Sequence, residues 1–454
     1  MSEVKRKYFG TDGIRGVAGE FPLNPKMLVS VGQAIAHLFL GKKGRHRILI
    51  GKDTRLSGYM IETALASGIT SMGADVLLVG PIPTPGVAYL TKSMRADVGI
   101  MISASHNPFE DNGIKIFGAD GFKLPDEREA EIESWIEQNE QFPGVESSKI
   151  GKATRVDDAL GRYTVFLKES FPRDLTLEGM RIGFDCANGA AYQLAPQTME
   201  ELGADVVARG ISPNGRNINA GFGSLYPEIV RELVLEHNLD IGISLDGDAD
   251  RAVFVDEKGN VIDGDAVLAL CAIDLKQRGR LKNNIVVATV MSNLGLEKLL
   301  KEHDISVLRS PVGDRYVLEE MIKSGAVLGG EQSGHTIFAD SSTTGDGTLA
   351  SLKVLEILLR SGRPLSELAS QFVRFPQKLI NVPVRAKPDL STLESVSQAI
   401  HSVESELGNR GRVLVRYSGT EDKARVMVEC EEEKECESFA QGIAQAIERE
   451  IGAV

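Results

Sequence analysis

Hydrophobic and polar positions along the chain repeat one figure. A short apolar run, often β-branched, is followed by a helix-length segment, a second apolar run, another helix-length segment, and a third run that ends in a polar loop. The first passage predicts strands at 47–51 (RILIG), 74–79 (ADVLLV) and 97–102 (DVGIMI); the second at 181–185, 204–208 and 240–245; the third at 285–289, 305–308 and 326–329. Gly73-Ala74-Asp75-Val76 matches Gly203-Ala204-Asp205-Val206, and the third runs of the first two passages share Asp-[Val/Ile]-Gly-Ile. Short apolar runs alternating with helices are βαβ units in wholly or largely parallel sheets. The predicted class is therefore α/β: three related sandwich domains with mixed, largely parallel sheets, over residues 1–155, 156–256 and 257–373. The last part, 374–454, differs. It reads as a hairpin, 412–416 and 424–428, followed by a helix over 433–450, a small α+β domain suited to a lid or clamp.

Each third strand delivers a polar loop: Ser103 to Pro108, Asp246 to Arg251, and Glu331 to His335. Ligands of open α/β sheets gather at the carboxyl ends of strands, so three equivalent loops are expected to meet in one central cleft. Composition narrows the partners. The 454 residues are 42% hydrophobic and 25% charged, with a net charge of −13 and 6% aromatics. That balance excludes wholesale disorder and argues against nucleic acid and anionic membranes as partners. The N-terminus is charged with no apolar stretch behind it, and the longest apolar run, 266–273, is too short to span a bilayer. The cysteines, Cys186, Cys271, Cys430 and Cys436, are too sparse for a disulfide scaffold or zinc ribbon. Together these predict a cytoplasmic protein in a reducing compartment.

Asp246-Gly247-Asp248-Ala249-Asp250-Arg251 carries the strongest chemical signal. In an extended loop, alternate side chains point the same way, so three carboxylates converge. Like charges at close range call for a cation, and hard oxygen ligands favour Mg²⁺, Ca²⁺ or Mn²⁺ over zinc. Arg251 stands where a calcium EF-hand loop needs glycine; it suits an anion beside the metal instead. Ser105 is not in a G-x-S-x-G elbow, and in an extended loop its neighbour His106 points away, a poor direct base. A serine facing a metal loop suits carrying phosphate; the bland alternative is a polar strand-end cap. Arg15 and Lys115 are surface cations unless the fold gathers them; a lysine among other cations has a lowered pKa and serves as acid or base. Arg416 to Asp422 with Arg425 reads as an anion nest of hydroxyls, backbone N–H groups and guanidinium ions, or else as an ordinary hairpin turn. A Walker A loop, a dinucleotide fingerprint and HExxH are all absent.

Seven segments in one order resemble the α-D-phosphohexomutase superfamily, most closely its bacterial branch acting on glucosamine phosphate. They are Tyr8 to Gly16, Gly51-Lys52-Asp53-Thr54-Arg55, Ile102 to Pro108, Asp246 to Arg251, Val312 to Val317, Gly330 to His335, and Arg416 to Glu421. The resemblance implies that Ser105 is a phosphoserine. It implies one Mg²⁺ held by Asp246, Asp248, Asp250 and a phosphoryl oxygen on Ser105. Arg15, Lys115 and His106 would lie near the reacting group. Arg251, Glu331, Ser333 and His335 would hold the sugar, and Arg416, Ser418, Gly419, Thr420 and Arg425 the distal phosphate. The implied reaction interconverts glucosamine 6-phosphate and glucosamine 1-phosphate, with glucosamine 1,6-bisphosphate as intermediate and activator. It would feed UDP-N-acetylglucosamine and cell-wall precursor synthesis, with a homodimer left open. The alternatives are a glucose or mannose phosphomutase, a metal-dependent sugar phosphatase, and a non-catalytic sugar-phosphate binder. Three positions depart from the family pattern: Ala249 for Gly, Asp422 for Pro, and Asp314-Arg315 where the glucose and mannose branch commonly has His.

Overall fold

A computed structural model describes residues 6–10, 12–39, 45–137, 142, 144–418 and 421–453. The chain divides into two compact units. The first comprises Met1–Met291 and Ile305–Ser370; the second comprises Ser292–Asp304 and Gln371–Val454. The first unit holds three sheets of seven, five and four strands, and the second holds one of three strands.

The three large sheets share one topology. In the first, Arg47–Lys52 lies between Asp75–Pro81 and Val98–Ile102, all parallel, and Val98–Ile102 pairs with Asp111–Gly118 antiparallel. In the second, Arg181–Asp185 lies between Asp205–Arg209 and Ile241–Leu245, and the latter pairs antiparallel with Ala252–Asp256. In the third, Ile285–Thr289 lies between Ser306–Ser310 and Leu328–Gly330, and the latter pairs antiparallel with Thr336–Phe338. The repeat therefore has a fourth, antiparallel strand that the three-run pattern does not contain. The central strands are buried on both faces, which is why they read as continuous apolar runs.

Helices Pro25–Phe39 and Ser57–Ser71 pack at backbone contact. A Cβ on Gly32 would stand 2.5 Å from the Leu65 carbonyl oxygen, and one on Gly68 would stand 2.2 Å from that of Val29. The second sheet runs on through Val261–Ile262, past the boundary expected at 256. The Asp256 carboxylate accepts the N–H groups of Lys258 and Asn260 and turns the chain back onto the sheet.

In the second unit, Lys423–Cys430 pairs antiparallel with both Gln377–Pro383 and Gly411–Tyr417. Helix Glu433–Ile451 covers the sheet with Cys436, Ala440, Ile443, Ala444, Ile447 and Ile451, an apolar stripe at helical spacing. Composition argued against a disulfide framework. The structure pairs Cys430 with Cys436, because the strand end and the first helical turn bring their Cα atoms to 5.7 Å. Cys186 and Cys271 are free and buried. No helix among the described residues is long and apolar enough to cross a membrane.

Candidate active site

In each of the three sheets, the site loop joins the third parallel strand to its antiparallel partner. Ser105 lies between Val98–Ile102 and Asp111–Gly118, the aspartates between Ile241–Leu245 and Ala252–Asp256, and Glu331 to His335 between Leu328–Gly330 and Thr336–Phe338. Equivalent loops of repeated domains converge, as ligand loops at strand carboxyl ends do.

Asp246, Asp248 and Asp250 are buried, and each offers an oxygen within 4.8 Å of the others. They do not converge through an extended loop. The Ala249 N–H donates to the Asp246 carbonyl, closing a turn, and Ala249 takes φ +55°. That left-handed backbone favours glycine, so the alanine at 249 holds a conformation its Cβ disfavours. Burial, then the neighbouring charges of Asp250 and Asp248, push the Asp246 carboxyl well above the usual range. Oδ1 of both Asp248 and Asp250 is buried without a hydrogen-bond partner. Three crowded carboxylates with two orphaned oxygens are a donor set that a hard divalent cation satisfies.

Ser105 is buried, and its Oγ donates to Asp246 Oδ2 at 2.6 Å. Its own φ is +53°, so the loop is not extended here either, and His106 does not point away. His106 Nδ1 lies 3.4 Å from Ser105 Oγ and 3.2 Å from Nη1 of Arg251. Burial, then the charges of Arg251 and Arg15, push the His106 imidazole down to about 4, so it is neutral near pH 7. The guanidinium donates to Nδ1, and the serine proton is directed to Asp246. His106 is still no base for Ser105, but for this reason and not for its orientation.

Lys115 is not a surface cation. It is 1% exposed, and its Nζ lies 2.8 Å from Asp248 Oδ2 and 3.3 Å from both Asp250 Oδ2 and Asp12 Oδ2. Burial alone would lower its pKa, but Asp12, Asp248 and Asp250 outweigh burial and raise it well above the ordinary value. The expected lowering among cations is therefore reversed, because carboxylates are its neighbours. Arg15 pairs with Asp12, and its Nη1 reaches the Ala104 carbonyl at 3.4 Å. Arg15, His106, Arg251, Asp314, Glu331 and His335 all line one cavity of about 420 Å³. Glu331 Oε1 accepts the Gly313 N–H at 3.1 Å, and Ser333 is exposed. His335 Nε2 accepts the Gly345 N–H at 3.0 Å, which leaves the ring proton on Nδ1, 3.7 Å from Asp250 Oδ1.

Several residues here carried no sequence signal of their own. Asp12 bridges Lys115, Arg15 and Lys123, and Lys123 Nζ also holds Asp314 Oδ2 at 2.6 Å. Thr84 Oγ1 donates to Asp248 Oδ2 at 2.5 Å. Arg315 turns away from the cavity to Asp126, Glu129 and the Leu124 carbonyl, so it is no acid or base for the site.

In the second unit, Arg416 and Arg425 stand opposite each other in the ladder. Arg425 Nη2 is 3.4 Å from Oγ of buried Ser418, its Nε is buried without a partner, and Lys387 Nζ donates to the Ser418 carbonyl at 3.1 Å. Asp422 is exposed and pairs with Lys387 at 3.3 Å. Gly419 and Thr420 lie outside the described residues.

Four families match consecutive parts of the chain, described as phosphoglucomutase/phosphomannomutase alpha/beta/alpha domain I (residues 6–142), domain II (162–259), domain III (263–375) and the C-terminal domain (379–446). The chain is 55% identical over 449 residues to a phosphoglucosamine mutase of Geobacter metallireducens, covering 98% of this chain and 99% of that one. It is 55% identical over 452 residues to a phosphoglucosamine mutase of Myxococcus xanthus, covering 99% and 98%. Among solved structures, a phosphoglucomutase/phosphomannomutase family protein from Burkholderia thailandensis superposes with a TM-score of 0.81 at 23% identity, covering 97% of each chain.

Proposed function

We infer the function from one premise: this chain belongs to the phosphoglucomutase/phosphomannomutase family. Like its relatives of about 55% identity over nearly the whole length, it interconverts glucosamine 6-phosphate and glucosamine 1-phosphate. The observation that carries the mechanism is Ser105 Oγ, 2.6 Å from a carboxylate of the buried acid triad.

Ser105 carries the phosphoryl group. It passes the group to the free end of the sugar, giving the 1,6-bisphosphate, and takes back the phosphate from the other end after the intermediate turns over. Phosphoryl transfer leaves little covalent work for a protein, so positioning and charge neutralisation dominate. Asp246, Asp248 and Asp250, with a phosphoryl oxygen on Ser105, would hold Mg²⁺, which supplies part of that neutralisation. Lys115 stays protonated and adds a fixed positive charge at the same carboxylates. Arg15 and Arg251 flank the cavity with guanidinium donors for an anion. Glu331 accepts from sugar hydroxyls or from a protonated amine, and Ser333 offers an exposed hydroxyl beside it. Arg416, Ser418 and Arg425, joined by Lys387, bind the phosphate that is not being transferred.

The test is ³¹P NMR of the purified protein with Mg²⁺ and glucosamine 1-phosphate. Conversion to glucosamine 6-phosphate, without accumulation of inorganic phosphate, is expected. Net release of inorganic phosphate would make the protein a phosphatase, and no conversion would leave it a binder.

A further inference from the structure

The buried side chain of Arg55 (0% exposed) sits inside the reactive-serine loop. Its Nη2 donates to the carbonyls of Ser105 and Asn107 at 2.8 and 2.9 Å. Its Nη1 donates to the carbonyls of Pro108 and Asp111, the second at 3.3 Å, and Nε is held by Asp53 Oδ2 at 2.8 Å. The guanidinium has five N–H donors, and here each has an acceptor. Asp53 Oδ2 also accepts from Ser103 Oγ at 2.6 Å, and Ser103 Oγ accepts the Ser105 backbone N–H at 2.9 Å. From the second sheet's domain, Asn219 Nδ2 donates to the same two carbonyls, Ser105 at 2.9 Å and Asn107 at 3.0 Å. The metal loop abuts this point: a Cβ on Gly247 would stand 2.5 Å from the Ser105 carbonyl oxygen and 2.8 Å from Asn219 Nδ2.

We propose that Arg55 and Asn219 are positioning residues for Ser105, winding its loop around one guanidinium and tying it to the metal-bearing domain. Neither lines the cavity, so neither is a catalytic residue. Ser105 holds a left-handed φ of +53°, which a serine adopts only where its surroundings impose it. Inward-pointing carbonyls impose it here, because without their donors they would turn back toward water. The alignment of Oγ with Asp246 follows from that backbone. This inference rests on the mutase reading above.

The experiment compares Arg55→Ala, Arg55→Lys and Asn219→Gly with wild type. Glycine at 219 removes the amide without strain, because that residue has φ +58°. Each is assayed for kcat, for KM with glucosamine 6-phosphate, and for phosphate on Ser105 by mass. Arg55→Ala is expected to lose about 100-fold or more in kcat, the scale of a misplaced reacting atom, with little change in KM. Guanidinium ion at non-denaturing concentration is expected to restore part of it. Arg55→Lys is expected to stay impaired, since an ammonium offers three donors from a single atom. Asn219→Gly is expected to lose roughly 5- to 10-fold, one neutral hydrogen-bonding group. The double variant should lose less than the product of the two, because both residues serve the same carbonyls.

Wild-type kcat in either folded variant would overturn the inference, as would proportional changes in kcat and KM without guanidinium rescue. If Arg55→Ala does not fold, Asn219→Gly decides. Absence of turnover in wild type would overturn the mutase reading alone; loss of Ser105 phosphate in the variants, against a phosphorylated wild type, would still support positioning.

Discussion

Replacing Lys115 by methionine removes one positive charge from the most crowded point of the site while nearly keeping its volume. Its Nζ is paired with carboxylate oxygens at 2.8, 3.3 and 3.3 Å, and the side chain is 1% exposed. Methionine leaves buried Asp248 and Asp250, and half-buried Asp12, without that cation. Breaking a buried pair by removing one partner costs about 3–5 kcal/mol, mostly the stranded charge on the other side. The compact unit that holds Lys115 runs over Met1–Met291 and Ile305–Ser370, and at about 2.1 cal/mol/K of unfolding entropy per residue that is a fall in Tm of roughly 4–7 °C. A divalent cation held by the acid triad restores positive charge at two of these three carboxylates, Asp248 and Asp250. The difference from wild type should therefore be large in EDTA and should narrow with saturating Mg²⁺, while mutase turnover stays low because the fixed charge is gone. Differential scanning calorimetry of both proteins, with and without Mg²⁺, reads this directly. A loss below about 2 °C in EDTA, or a gap that Mg²⁺ leaves unchanged, would refute a net stabilising role for the lysine.

Chelation should abolish turnover and Mg²⁺ should restore it. Asp248→Asn, which keeps the acceptor geometry but loses a hard anionic ligand, should need more Mg²⁺ for half-maximal rate, as a metal titration of activity will read. Arg416→Ala should raise KM for the sugar phosphate and lower kcat less, if Arg416 binds the phosphate that does not react, as proposed; steady-state kinetics separates the two. For Asp12, burial would raise the carboxyl pKa, but Lys115, Lys123 and Arg15 outweigh it and hold it well below 3.8. Its stabilising contribution is therefore complete above pH 3.8 and lost as pH falls through its lower folded value, so the stability gap between wild type and Asp12→Asn should close on acidification. If Glu331 holds the amino group, as proposed, exchanging the amino sugar for glucose or mannose phosphates replaces an ammonium by a hydroxyl there and should cost about 1.5–3 kcal/mol, on the order of 10- to 150-fold in kcat/KM, which parallel kinetics on one preparation will measure.

The parallel core of the sheets was legible because strands buried on both faces read as apolar runs, and the loops after the third runs carry the serine, the aspartates and Glu331. The antiparallel fourth strands were not legible. Asp111–Gly118 opens on Asp-Asn-Gly, which reads as a turn, and Thr336–Phe338 has only three residues, too few for a periodic signal. The spacing of the three aspartates predicts their convergence through an extended loop; they do converge, but through turns, since Ala249 and Ser105 both take left-handed backbones that a strand-like loop does not have. Ion-pair partners distant in sequence were invisible. Lys123 meets Asp12 and Asp314 across 111 and 191 residues, and Lys115 became a buried cation only through Asp248, 133 residues away. In the second unit, Arg416 and Arg425 were read as neighbours from the hairpin, whereas Lys387 had no local cue.

The central claim is that Ser105 carries the phosphoryl group between the two ends of the sugar. Protein labelled with ³²P, with the label mapped to Ser105 by peptide mass, is mixed in a single turnover with unlabelled glucosamine 6-phosphate and Mg²⁺. The account predicts that label leaves the protein into glucosamine 1,6-bisphosphate and then into glucosamine monophosphate, with the Ser105→Ala protein taking up none. Label released as inorganic phosphate, or Ser105→Ala turning over at the wild-type rate, would contradict it.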